Sequence, residues 1–162
     1  MRRFIGFAVA LLILAADQGS KYLVLHQLHL WDGHVLVVLP VLDFVLVWNH
    51  GITFGMLADT ACTVILAGGA SIVVLALFVW LWRTKSWLVT IAVGAIAGGA
   101  IGNVLDRLRF GAVVDFIHVH IGSVAYPWVF NVGDSAIVCG VIALMLDSLF
   151  TKPPVAANQG EG

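Results

Sequence analysis

The sequence predicts an α-helical membrane protein with four transmembrane helices and a small outer (periplasmic) β-rich cradle between helices 1 and 2. The first observation is composition: 61% of the 162 residues are hydrophobic and only 10% are charged, whereas a soluble domain carries about 25% charged residues. The second is that the apolar residues form runs of about 20, the length that crosses a bilayer. A net charge of -1 without a long basic run argues against nucleic-acid binding.

Four apolar runs are the predicted membrane helices. They cover approximately residues 4–25, 60–82, 86–105 and 127–150. The first run also fits a secretory signal peptide, because two arginines precede it, but it continues through "DQGSKYLVL", which favours a membrane helix. In the third run Gly94, Gly98 and Gly102 recur every four residues. Such a stripe of small residues lets a neighbouring helix approach closely.

The distribution of basic residues predicts the orientation of the helices. Most of them fall on one side of the four-helix topology, namely Arg2, Arg3, Arg83, Lys85 and Lys152. Lysine and arginine favour the cytoplasmic side, so both termini are expected in the cytoplasm. Arg107 and Arg109 fall on the outer side, which suggests that they have a specific role there.

The segment of about residues 28–58 is predicted to form the outer cradle. Its apolar part, "HVLVVLPVLDFVLVWNHGITFGML", is too short for a further span after the break at Pro40. Valine-rich stretches with turn signals at Pro40 and Asn49-His50-Gly51 indicate strands. Residues 1–150 are therefore expected to form a single membrane domain. The tail 151–162, "TKPPVAANQGEG", is expected to be disordered in the cytoplasm.

Ionisable residues within the apolar runs are candidate functional residues, because a charge at membrane depth is costly. Asp17 and Lys21 lie four residues apart in the first run, the spacing of an ion pair on one helical face. Asp106 and Arg107 are expected to form a salt bridge at the end of the third helix.

Asp115 and Asp134 are predicted to lie at the same depth. If the fourth helix enters the membrane at about Pro127, Asp134 lies roughly 10 Å inside that end at 1.5 Å per residue. Asp115 follows the outer end of the third helix, so it is expected at or just within the same surface. Two carboxylates in a poorly solvated site tend to share one proton, since desolvation and like charge both favour the neutral acid.

A carboxylate pair of this kind has more than one possible function. One ionised and one protonated carboxyl group can hydrolyse a peptide bond, as in aspartic proteases. The spacing alone also fits structural carboxylates, or a small proton-coupled transporter or channel subunit. Other sites are less well supported: Ser71 and Ser135 have no histidine at membrane depth to activate them.

A metal site has little support in the sequence. His118 and His120 alternate as on one face of a strand, but no third or fourth ligand has a suitable spacing. We expect neither a metal nor another cofactor.

Five sequence blocks, in order along nearly the whole chain, resemble the lipoprotein signal peptidases (signal peptidase II) of bacteria. They are "DQGSK" from Asp17, "NHGITFG" from Asn49, "GGAIGNVLDR" from Gly98, "VVDFI" from Val113 and "FNVGDSAI" from Phe130. Thr53 and Gly133 depart from the pattern, because the family more often has a small residue such as alanine there.

The resemblance implies an aspartic endopeptidase whose catalytic residues are Asp115 and Asp134. The implied substrate is a prolipoprotein, cut just before a cysteine that carries diacylglycerol. The residues expected to bind substrate or support the site are Asp17, Lys21, Asn49, Gly51, Phe54, Gly99, Asn103, Arg107 and Asn131. Membrane lipids are the other expected partners, and the protein is expected to be a monomer in the bacterial inner membrane, with its active site near the outer face.

Specific roles can be suggested for a few of these residues. Asn131 is expected to donate a side-chain hydrogen bond to the Asp134 carboxylate or to a substrate carbonyl. The planar guanidinium of Arg107 suits a lipid ester, a peptide carbonyl or the Asp17 carboxylate. Phe54 is expected to lie on a flap over the substrate, where Gly51 and Gly55 give the backbone freedom.

Overall fold

The computed structural model describes residues 2–28, 30, 34–51, 60–122 and 124–150. The elements are α1 (Arg2–His26), β1 (Val35–Leu39), β2 (Leu42–Asn49), α2 (Thr60–Arg83), α3 (Trp87–Phe110), β3 (Val113–Ile121), β4 (Val124–Phe130) and α4 (Val132–Phe150). All four helices contain a stretch that is long and apolar enough to cross a membrane. The predicted fold class is confirmed.

Helix α3 is the centre of the bundle and packs against each of the other three helices. Its small residues allow this close packing. A Cβ atom on Gly94 would lie 2.5 Å from the Gly6 carbonyl oxygen of α1, and one on Gly98 would lie 3.0 Å from the Ala10 Cα. The predicted stripe of small residues is therefore a helix-packing surface that faces α1.

Helix α3 has a defined start and end. The Ser86 side chain accepts a hydrogen bond from the Val89 N–H at its start, as an N-cap residue does. At its end Gly111 has a φ of 72° and donates its N–H to the Arg107 carbonyl. This left-handed conformation favours glycine, and it turns the chain directly into β3.

The four strands form one antiparallel sheet in the order β1-β2-β3-β4. Strands β1 and β2 lie in the predicted cradle segment. Phe44 of β2 and Phe116 of β3 meet edge to face with ring centroids 5.3 Å apart. Phe116 also belongs to a buried cluster with Val24 near the end of α1. The sheet is thereby packed against the end of the helix bundle.

Two boundaries differ from the sequence expectations. The sheet includes β3, for which the alternation of His118 and His120 was the only sign, and β4, which was not predicted. Helix α4 begins at Val132 rather than near Pro127. Proline is tolerated in β4 because this strand lies at the sheet edge. Asp134 is consequently the third residue of α4 and lies about 3 Å from the helix start at 1.5 Å per residue, rather than roughly 10 Å along a helix that begins at Pro127.

The contact between α1 and α3 predicts a selective effect of added side-chain volume. Gly94→Ala should lower the free energy of unfolding by about 1–3 kcal/mol, because the new methyl group overlaps the Gly6 backbone. Gly68→Ala in α2 is the matched control, since a Cβ there meets nothing within 4 Å. Thermal unfolding in detergent measures both. A Gly94→Ala protein as stable as the Gly68→Ala protein would contradict the packing described here.

Candidate active site

Asp115 and Asp134 meet where β3 runs beside the start of α4. Asp115 lies in β3 with 2% of its surface exposed, and Asp134 lies half-buried in the first turn of α4. The fully buried side chain of Asn131 joins them. The structure thus brings together the two carboxylates that the sequence analysis singled out.

Asn131 and Asp134 form a reciprocal pair at the start of α4. The Asn131 Oδ1 accepts the Asp134 N–H at 2.8 Å, and the Asp134 Oδ2 accepts the Asn131 N–H at 3.2 Å. This is the geometry of a capping box, in which two otherwise unpaired helix N–H groups are satisfied. The Asp134 side chain is therefore held by local helix geometry as well as by its other neighbours.

Three asparagine amides supply side-chain hydrogen bonds to the carboxylates. The Asn131 Nδ2 donates to Asp115 Oδ1 at 2.7 Å, and the Asn49 Nδ2 donates to Asp115 Oδ2 at 3.0 Å. The Asn103 Nδ2 donates to Asp134 Oδ1 at 2.8 Å. The Asn131 side chain thus donates to Asp115, whereas Asp134 receives the backbone N–H of Asn131 instead of the expected side-chain donor.

A buried ion cluster lies directly behind the two carboxylates. The Lys21 ammonium lies 2.7 Å from Asp17 Oδ2 and 2.7 Å from Asp106 Oδ2, and it donates to Asn103 Oδ1 at 3.1 Å. All three charged residues are nearly inaccessible to solvent. The structure contains the expected Asp17–Lys21 ion pair.

Asp106 forms its ion pair with Lys21, so the expected salt bridge between Asp106 and Arg107 was wrong. Neighbouring residues on a helix point about 100° apart and do not face each other, and Asp106 is on the buried side of α3. Gln18 also donates to Asp106 Oδ1 at 2.9 Å and accepts from Arg109 at 2.8 Å. Asp106 and Gln18 were not among the predicted site-supporting residues, although each is a polar residue within or at the end of an apolar run, which is the signal that could have found them.

Two of the remaining predicted site residues, Gly51 and Gly99, are described by the structure. Gly51 donates its N–H to Asn49 Oδ1 at 3.2 Å. Gly99 packs against Gly133, whose Cα would lie 3.1 Å from an added Cβ. Phe54 and Gly55, on the expected flap, lie outside the described residues.

Arg107 lies beside the two carboxylates and is half-buried. Its guanidinium donates to the Asn103 carbonyl at 3.3 Å, and its charge interacts with Asp134 and Asp115. The Asp17 carboxylate, one of its suggested partners, is bound instead by Lys21 and by the Gly133 N–H.

Burial raises the pKa of Asp115 to about 7, and the negative charge of Asp134 adds to this effect. Hydrogen bonds from Asn49 and Asn131 act in the opposite direction without cancelling it. Near neutral pH, one proton is therefore held readily at this pair of carboxylates.

An apolar groove begins at Asp134 and runs along α4. Its volume is about 890 Å³. Its lining includes Trp128 and Phe130 of β4 and Ser135, Val138 and Cys139 of α4. The groove is only partly enclosed by the protein.

His120 of β3 pairs with an aspartate of the neighbouring strand. His120 Nε2 lies 3.1 Å from Asp43 Oδ2 on the neighbouring strand β2. Within the described ranges, the structure contains no cluster of three or more His, Cys, Asp or Glu residues that could hold a metal ion.

The raised pKa of Asp115 predicts a pH-dependent contribution to stability. A carboxyl group whose pKa is higher in the folded state than in the unfolded state stabilises the fold at low pH, and this contribution is lost as pH rises through the folded value. As pH rises from 5 to 8, the melting temperature of wild type should therefore fall relative to that of Asp115→Asn. Thermal unfolding at stepped pH values measures it. A constant difference across this range would refute the prediction.

Comparisons with known proteins agree with one another. A family model described as signal peptidase (SPase) II matches residues 9–150. The lipoprotein signal peptidases of Rhodopseudomonas palustris (strain TIE-1) and Nitrobacter hamburgensis are 42% and 43% identical over 158 residues, covering 94% of this chain and 96% of each relative. A solved structure of a bacterial membrane enzyme matches with a TM-score of 0.79 and 25% identity, over 97% of this chain and 94% of that one.

Proposed function

The chain belongs to the signal peptidase II family of aspartic peptidases and removes signal peptides from lipoproteins, and we propose that Asp115 and Asp134 form its catalytic dyad. The observation that carries the proposal is the arrangement of the two carboxylates around one buried amide, Asn131. Family membership does not favour the alternative of a proton-coupled transporter or channel subunit.

The dyad performs hydrolysis with water as the nucleophile. An ionised carboxylate takes a proton from water as the oxygen attacks the scissile carbonyl, and the protonated partner donates to the carbonyl oxygen. The pKa of Asp115 near 7 suits this division, because one proton remains on the pair at neutral pH. Asn49, Asn103 and Asn131 hold the two carboxyl groups in place for the reaction.

The substrate is a prolipoprotein that is cut just before a diacylglyceryl cysteine. The groove beside Asp134 supports this choice, since it is almost entirely apolar and opens beside a helix that is long and apolar enough to cross the membrane. An acyl chain or an apolar signal helix can therefore reach the dyad while its remaining surface stays in lipid. The polar residues at the groove's inner end, Asp134 and Ser135, lie where the peptide bond must be.

The dyad and the sheet face the outer side of the bacterial inner membrane, and both termini, including the tail 151–162, lie in the cytoplasm. Support comes from the opposite end of the bundle, where the Arg3 guanidinium lies 4.2 Å from the Trp82 ring and Arg2 lies 5.2 Å from the Trp87 ring. Arginine favours the cytoplasmic side, and tryptophan favours the membrane interface. Residues 1–150 act as one domain, and the enzyme works as a monomer.

Cleavage of a diacylglyceryl-modified prolipoprotein in detergent tests the dyad. Asp115→Asn and Asp134→Asn should each lower turnover by about 10²- to 10⁴-fold, the usual contribution of a general acid or base. Both variants must retain the wild-type circular dichroism spectrum, so that lost activity reports on chemistry. Full activity in either folded variant would exclude that residue from the dyad.

Filling the groove should weaken cleavage without removing the dyad. Val138→Trp places a large side chain in the groove, so kcat/KM for the diacylglyceryl substrate should fall several-fold. Val73→Trp on α2 is the matched control, because Val138 and Val73 are 56% and 54% exposed and only Val138 lines the groove. Equal kcat/KM values for the two variants would show that the substrate does not use the groove.

A further inference from the structure

We infer that Lys21 and Asn131 fix the side-chain amide of Asn103 so that it donates to Asp134, and that Asp134 is thereby the ionised base of the dyad while Asp115 holds the shared proton. The inference rests on the proposed dyad and adds a division of roles between its two members. Lys21 acts in it as a positioning residue, through Asn103.

The orientation of the Asn103 amide follows from its neighbours. A lysine ammonium can only donate hydrogen bonds, so the Asn103 atom at 3.1 Å from Lys21 Nζ is the oxygen. The Asn131 Nδ2 donates to the same oxygen at 3.1 Å. The Asn103 nitrogen must then face Asp134 Oδ1, where it lies at 2.8 Å.

The orientation of Asn131 is fixed independently. Its oxygen accepts the Asp134 backbone N–H at 2.8 Å, and a backbone N–H can only donate. Its nitrogen therefore faces Asp115 and Asn103. Neither amide can flip without setting a donor against a donor.

Asp134 is half-buried, which disfavours a charge, but several groups that face it favour the negative form. Asp134 lies in the first turn of α4, where the helix dipole stabilises an anion, and it accepts the backbone N–H of Asn131. Arg107 of α3 interacts with Asp134 more strongly than with Asp115. The other charged groups that act on Asp134 are Lys21 and Asp17 of α1 and, across the dyad, Asp115 of β3.

The surroundings of Asp115 favour a neutral acid. It lies in a strand, which supplies no helix dipole. The amide donors from Asn131 and Asn49 favour its ionised form, but they do not outweigh the effect of burial. The charged groups that act on it are Asp134, Lys21 and Arg107. Burial, together with the negative charge of Asp134, raises its pKa to about 7.

The assignment gives a balanced reaction. Asp134 takes a proton from water while the water oxygen bonds to the scissile carbon, and Asp115 gives its proton to the carbonyl oxygen, which yields a neutral tetrahedral diol. Asp134 then passes its proton to the amide nitrogen as the carbon–nitrogen bond breaks. Asp115 regains a proton from one hydroxyl group as the new carboxylic acid forms, so the dyad returns to its starting state.

The pH dependence of kcat/KM tests the assignment with two matched variants, because its acidic limb reports the free enzyme's base and its alkaline limb the acid. Asn103→Leu removes a donor to Asp134 and should move the acidic limb to higher pH by about one unit. Asn49→Leu removes a donor to Asp115 and should move the alkaline limb to higher pH by about the same amount. The assignment would be overturned if Asn103→Leu moved the alkaline limb and Asn49→Leu the acidic limb, or if neither variant moved either limb.

The role of Lys21 has its own readout. A glutamine amide can present either its oxygen or its nitrogen to Asn103, so Lys21→Gln should move the acidic limb in the same direction as Asn103→Leu. The shift should be smaller when Lys21→Gln is made in the Asn103→Leu protein, where only the loss of the Lys21 charge acts on Asp134, and equal shifts in the two backgrounds would overturn the positioning role. A protein that loses stability but keeps the wild-type limbs would show that Lys21 does not position Asn103.

Infrared spectroscopy at pH 6 decides the assignment even if a variant does not turn over. Wild type should show the C=O stretching band of one protonated carboxyl group that is missing in Asp115→Asn. Persistence of that band in Asp115→Asn would overturn the assignment. If wild type itself failed to cleave a diacylglyceryl prolipoprotein, the proposed function would fail, whereas exchanged limbs in an active enzyme would overturn only the division of roles.

Discussion

The ion cluster centred on Lys21 is the interaction on which the active site depends. The ammonium is buried between the carboxylates of Asp17 and Asp106, and such groups are stable in an apolar interior only when every charge is paired. Each carboxylate makes a backbone hydrogen bond in addition to its ion pair with Lys21. Asp17 accepts the Gly133 N–H at 2.8 Å, and Asp106 accepts the Val114 N–H at 3.1 Å. These N–H groups belong to the residues immediately before Asp134 and Asp115, so the cluster fixes both segments of the proposed dyad to α1 and α3.

The helices could be predicted from the sequence, and Asp115 and Asp134 could be singled out as the proposed dyad, because the signals extend over many residues or are rare. Runs of about 20 apolar residues define a span whatever their neighbours do. Asp17 and Lys21 stand out for a similar reason: an i, i+4 pair of opposite charges within a membrane helix has few alternatives to pairing. The spacing of Asp115 and Asp134 alone fitted several functions. Only the ordered sequence blocks favoured a peptidase over the alternatives.

The missed features depend on contacts between segments far apart in the chain, apart from the start of α4, which depends on a local pair. Strand β4 and the start of α4 form one continuous apolar stretch, so hydropathy does not mark the boundary at Val132; the Asn131–Asp134 capping pair does. Asp106 could pair with its sequence neighbour or with Lys21 of another helix, and only the packing of α3 on α1 decides this. The Asn131 side chain donates to Asp115 of β3, and the place of β3 in the sheet was not predicted.

The distance between Lys21 and the dyad has a chemical reason. An ammonium in direct contact with either catalytic carboxylate would strongly favour its ionised form, and a dyad with two ionised members has no proton to give to the carbonyl. Lys21 contacts Asn103 instead, and Asn103 contacts Asp134. The neutral amide transmits the direction of the hydrogen bond, while the positive charge stays one residue away in contact with the two carboxylates of Asp17 and Asp106. The site thereby gains rigid geometry and still retains the shared proton that peptide hydrolysis requires.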